Sequence, residues 1–154
     1  MKEYEILIER LERLAAQSES TRMTKAASRA ASLVRSLDKR GHDPQDVQEF
    51  LQIYRDVLEL TPETKTLGRA TSSLLSYLEK EHDLVPPAHY QNQWMSLGLA
   101  AFGLPIGVVM GTIMDNMAFI GIGLPLGLAI GLSIGSGKDK EAAREGRQLE
   151  MPEA

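Results

Sequence analysis

The sequence predicts an all-α chain in two parts, an N-terminal small helical bundle followed by a two-helix glycine-rich transmembrane hairpin. Three observations predict it. Residues 1–83 hold 13 Lys/Arg and 15 Asp/Glu, residues 84–137 hold only Asp115, and residues 138–154 return to charge with four basic and five acidic residues. Before residue 84 the apolar side chains recur at three- and four-residue spacing, the period of an amphipathic helix. Within the uncharged stretch the glycines recur every four residues. The predicted organisation is a bundle over 1–84, a Pro-rich juxtamembrane linker over 85–93, the hairpin over 94–136 and a charged tail over 137–154.

Residues 3–37 read as helix through Ile6, Leu7, Leu11 and Leu14, then through Ala26, Ala27, Ala30, Ala31, Leu33, Val34 and Leu37. The polar run Ser18–Thr21 is the place to bend or break it, and Gly41-His42 ends it. Asp43-Pro44-Gln45-Asp46 reads as a helix start, with Asp43 capping free amides and Pro44 at the first helical position. That helix would bury Val47, Phe50, Leu51, Tyr54 and Leu58. Thr61-Pro62-Glu63 repeats the device and opens a third, facing Leu67, Ala70, Leu74, Leu75 and Leu78 inward. Helices with short connections make a small bundle. About eighty residues bury a modest core, so further packing against a partner or a second copy is expected. Val85-Pro86-Pro87-Ala88 stops the last helix and stiffens the exit.

Trp94–Met114 is 21 residues without a charge and Met117–Ser136 is 20. Each can span a hydrocarbon core of about 30 Å. Tyr90 and Trp94 at one end, with Lys138 and Lys140 at the other, read as membrane-interface anchors. The alternative is a soluble assembly that buries the hairpin, but a chain this short has no surrounding layer to do so. Lys138, Lys140, Arg144 and Arg147 against Asp115 place both termini in the cytoplasm of an inner membrane. No signal peptide opens the chain.

The segment Phe102–Gly111 repeats as Ile122–Gly131, each carrying Gly-Leu-Pro-x-Gly. If the chain turns at Asp115-Asn116, Pro105 and Pro125 fall near one depth and predict matched helix bends. Gly103, Gly107 and Gly111 lie on one face of the first span, and Gly123, Gly127, Gly131 and Gly135 on one face of the second. Such faces let two backbones approach closely. The spacing leaves open whether they pack within the hairpin or between copies. Gly98, Gly121 and Gly137 lie outside the main registers, and this surplus points to a second contact face and a homo-oligomer.

On these glycine runs the chain resembles the glycine-zipper class of small bacterial membrane proteins, over about residues 97–140. The resemblance implies oligomeric packing and leaves activity open, because the class includes pore-forming, membrane-shaping and structural members.

No catalytic constellation is found. His42, His82 and His89 show no metal-ligand spacing, and Ser72, Ser73 and Ser76 have no base partner. The absence of cysteine excludes thiol chemistry. A net charge of -4 gives no reason to expect nucleic acid. The expectation is therefore a protein without catalytic activity, cofactor or metal. Its partners would be the lipid bilayer, further copies of itself and an unidentified cytoplasmic protein. The leading function is a self-associating scaffold or assembly component. The alternative is a small oligomeric channel or membrane-permeabilising effector, with Asp115 and Asn116 at the pore rim.

Overall fold

A computed structural model of the chain describes residues 2–60 and 63–152. The architecture is all-α. The chain divides into an N-terminal unit, Met1–Pro86 rejoined by Leu149–Ala154, and a hairpin unit, Pro87–Gln148.

Four helices build the N-terminal unit: α1 (Lys2–Gln17), α2 (Thr21–Lys39), α3 (Gln48–Leu60) and α4 (Thr64–His82). The predicted break falls at Ser18–Ser20, so what could have been one long helix is two. Helix α2 ends as Gly41 predicts. Gly41 takes φ 66°, and the His42 amide donates to Leu37 O at 3.1 Å while that of Gly41 donates to Asp38 O at 2.9 Å. This double bond pattern needs a left-handed residue, which glycine supplies without strain. The start of α3 differs from expectation. Asp43 Oδ1 accepts from the Gln45 amide at 2.9 Å, a local turn, and the helix begins only at Gln48. That bond to the second amide is the one a capping residue makes, so Asp43 caps as expected, but onto three-residue turns, with the Asp46 amide donating to Asp43 O at 3.2 Å and that of Gln48 to Gln45 O at 3.4 Å, before the α-helix proper. Of the Thr61-Pro62-Glu63 signal, Thr61 and Pro62 lie outside the described residues; Glu63 precedes α4 in extended conformation.

The core of this unit is Leu7, Leu11, Ala27, Ala30, Ala31, Leu33, Val34, Leu37, Val47, Leu51, Tyr54, Leu67, Leu74 and Leu78, with Tyr4 at its edge. Three alanines on α2 buried to 2% exposure or less let α1 and α4 approach it closely. Ile6, expected inside, is 58% exposed. The buried stripe of α1 is Tyr4, Leu7, Ile8 and Leu11, and Ile6 falls on the opposite face of that register. Inside the core the Tyr54 hydroxyl donates to Thr71 Oγ1 at 3.0 Å, and Thr71 donates on to Leu67 O at 2.9 Å.

The charged tail returns to the N-terminal unit after Gly146. Leu149 is 1% exposed in the core of the N-terminal unit, and its amide donates to Val85 O at 2.8 Å. Val85 is itself fully buried, so it belongs to the folded unit and the predicted linker shortens to the few residues before His89.

In the hairpin unit, α5 (His89–Gly98), a π-helical turn (Leu99–Gly103) and α6 (Leu104–Ile113) run as one rod, and α7 (Ile120–Arg144) returns. His89–Ile113 and Ile120–Arg144 are each 25 residues long and apolar enough to cross a membrane. Both exceed the spans read from charge alone, because the helices continue into the polar flanks.

Candidate functional site

The hairpin is built around glycine backbone. A Cβ placed on Gly98 would lie 2.5 Å from Gly127 O, and one on Gly107 2.6 Å from Ile120 O. One on Gly135 would lie 2.5 Å from Gln91 Cα. Gly123 faces Gly103 and Gly107, Gly127 faces Gly103 and Gly98, and Gly131 faces the Trp94 carbonyl. Gly111 is buried as well. Within the single chain, Gly98, Gly103, Gly107, Gly123, Gly127, Gly131 and Gly135 face the other span of the same hairpin. Gly98 joins that seam, whereas a Cβ on Gly121 or Gly137 would meet nothing within 4 Å. The faces turned away from the seam carry large apolar side chains, among them Leu97, Phe102, Val109, Ile122, Leu126 and Ile134.

The repeated prolines do not produce matched geometry. Pro105 follows the π-helical turn, in which the Leu104 amide bonds back to Leu99 O. The i→i−5 bond places the wider turn directly before the residue that cannot donate. Pro125 lies inside the continuous helix α7. The seam pairs Gly103 with Gly123 and Gly127, which sets Pro125 opposite Gly103, about 3 Å farther from the hairpin tip than Pro105 at ~1.5 Å per residue, so the two prolines do fall near one depth.

At the tip, Asp115 takes φ 47°. Its amide donates to Thr112 O at 3.3 Å and that of Asn116 to Gly111 O at 2.9 Å. These are the bonds that end a helix through a left-handed residue, and aspartate tolerates that conformation better than most side chains. Asn116 Oδ1 then accepts from the Ala118 amide at 3.0 Å, starting the 3₁₀ turn Met117–Phe119 that leads into α7. Both residues therefore have a local backbone role in reversing the chain.

The opposite end of the hairpin holds a feature that sequence reading missed. Asp139, on α7 and 8% exposed, accepts the amides of Tyr90 and Gln91 at 3.0 and 2.9 Å, one on each carboxylate oxygen. It caps the free first turn of α5 from across the seam. In the sequence Asp139 was one charge of a mixed tail; its 49-residue separation from Tyr90 hid the pairing. The neighbouring Lys138 places Nζ 5.9 Å from the Tyr90 ring centroid and 5.8 Å from that of Trp94, within reach of both π faces. Three of the four predicted interface anchors thus form one cluster; Lys140 is exposed nearby.

The histidines do not form a metal centre. Among the described residues no group of three or more metal-ligating side chains occurs. His42 and His82 do meet, ring centroids 4.4 Å apart and edge to face, with Tyr77 at 5.6 Å from His82. Burial and the neighbouring His82 push the His42 pKa down, against the opposing pull of Asp46 and Asp43. His89 packs edge-on against Tyr90 at 5.0 Å. Ser72, Ser73 and Ser76 lie along an exposed face of α4.

No protein-family model, curated protein or solved structure matches this chain. The functional reading therefore stands on the hairpin and the helical unit themselves.

Proposed function

We propose that the chain is an integral membrane protein whose closed glycine hairpin anchors a small helical platform at the cytoplasmic face of the membrane. The platform would act through binding rather than catalysis. The observation that carries this reading is the seam. Glycines at 98, 103, 107, 123, 127, 131 and 135 are occupied by the partner span of one chain, so they no longer call for a second copy. Only 22% of the most apolar window of each span is buried, and a core helix of a soluble protein would be mostly buried. Hydrocarbon is the medium that suits the remaining surface.

Topology supports one-sided presentation. The residues flanking the hairpin, Val85 and Leu149, are bonded within one folded unit, so the hairpin starts and finishes on the same side. The basic cluster Lys138, Lys140, Arg144 and Arg147 favours the cytoplasm for that side.

The self-associating scaffold and the channel draw less support. Each needs an outward small-residue or polar face, and the glycines open to the outside are Gly121 and Gly137. The test is mass in nanodiscs after alkaline carbonate washing of the source membranes. One chain per disc, resistant to carbonate, is the expected result. Release by carbonate would remove the membrane reading. A discrete oligomer would return the account to the self-associating scaffold, with conductance and Asp115→Asn as the next step.

A further inference from the structure

We infer that the face formed by the N-terminal halves of α2 and α4 docks onto anionic phospholipid headgroups. This inference rests on the membrane reading above and adds a specific lipid chemistry to it.

Charge is segregated along the chain. From Thr21 to Leu37 and from Thr64 to Leu78 there is no acidic residue, while Arg22, Lys25, Arg29, Arg35, Lys65 and Arg69 are all basic, in a protein of net charge -4. The pairing is segregated too. Arg10 pairs with Glu59, Arg13 with Glu9, Arg35 with Glu12 and Arg55 with Glu3. Among the described residues, Arg22, Lys25, Arg29, Lys65 and Arg69 make no ion pair. Five cations without a counter-charge on one side of an acidic protein are complementary to an external anion.

The geometry gathers them. Arg22, Lys25 and Arg29 share one stripe of α2, and Lys65 and Arg69 one stripe of α4. Between the helices runs a groove of about 680 Å³ with Lys25 and Arg29 on one wall and Thr64, Gly68 and Ser72 on the other. Nothing lies within 4 Å of a Cβ built on Gly68, so the groove stays open there. Hydroxyls and cations together match phosphate oxygens, and Leu75 in the lining offers an apolar contact beneath them.

A bilayer is favoured over an acidic protein because of the tether. Only residues 83–88 separate α4 from α5, a reach of about 20 Å at most. On the membrane reading, that short link limits how far the unit can stray from the first span, and the headgroup layer at its end attracts basic clusters.

The test uses the full chain in nanodiscs of phosphatidylcholine, with or without 30% phosphatidylglycerol by composition (~30%, enough to set a strong surface potential). Acetylation rates of Lys25 and Lys65 are read by mass spectrometry, with Lys39 as internal control. The expected result is roughly fivefold slower modification of Lys25 and Lys65 in the anionic discs, reversed by high salt. The triple variant Arg22→Glu, Arg29→Glu, Arg69→Glu, checked for native circular dichroism, should lose the protection. Equal rates in both discs, or protection surviving in that variant, would overturn the inference and leave an acidic protein as the partner to seek. Failure to enter phosphatidylcholine discs would instead overturn the membrane reading, and this inference with it.

Discussion

Asp139 and Gly127 show how much rests on single positions. A methyl group at Gly127 would press on the Gly103 backbone, which cannot swing aside as a side chain can. Gly127→Ala should therefore part the spans and destabilise the hairpin by about 1–3 kcal/mol. Gly121→Ala, into open space, should be neutral or slightly stabilising. Unfolding of the two variants in bicelles compares them directly. Asp139→Ala leaves the Tyr90 and Gln91 amides without their shared acceptor and should cost about 1–2 kcal/mol, read in the same assay. At His42 the sign follows from burial. Its folded pKa is lowered from 6.5, so the unfolded chain takes up a proton first as pH falls. Stability of the N-terminal unit should be full above pH 6.5 and decline below it until the lowered folded pKa is passed. Melting between pH 7.5 and 5 should show that decline, and His42→Gln should flatten it.

Among the helices, what was legible was whatever local chemistry decides. The break at Ser18–Ser20, the stop at Gly41 and the boundary at Pro86-Pro87 are each read from a few adjacent residues. The four-residue glycine registers were legible for the same reason, since helix periodicity alone puts them on one face. Three things were not. Asp43 and Pro44 pointed to a helix start, and Asp43 does cap the Gln45 amide, but three-residue turns intervene before the α-helix begins at Gln48. Identical Gly-Leu-Pro-x-Gly motifs gave a π-helical turn in one span and an uninterrupted helix in the other, so the motif alone does not set the helix type. The mutual cap of α5 by Asp139 needs tertiary proximity that no local window contains. Whether a glycine face meets its own chain or another was equally hidden, because spacing carries no information about the partner.

For the whole molecule, the unexpected link is that the chain leaves the N-terminal unit at Pro86 and rejoins it at Leu149. The hairpin is an insertion in a helical fold rather than an appended anchor. Leu149, beyond the second span, should therefore matter to the stability of residues 2–86. Leu149→Ala removes a fully packed side chain and should destabilise that unit by about 2–5 kcal/mol, measured by amide exchange of α1–α4 in the full chain. An effect below about 0.5 kcal/mol, the range of surface substitutions, would mean the returning segment is dispensable. At alkaline pH the same unit should weaken above pH 10, because burial raises the Tyr4 and Tyr54 pKa values from 10.0 to about 12. The unfolded chain loses those protons first.

The central claim is that the glycine seam closes within one chain. The most direct measurement is a nuclear Overhauser contact between Gly103 and Gly127 protons in micelles, on isotopically labelled chain diluted into excess unlabelled chain. A seam closed within one chain gives a strong cross-peak whose intensity per labelled chain does not change on dilution. A cross-peak that fades as labelled chain is diluted, or that appears only between differently labelled chains, would contradict it and assign the seam to an oligomer.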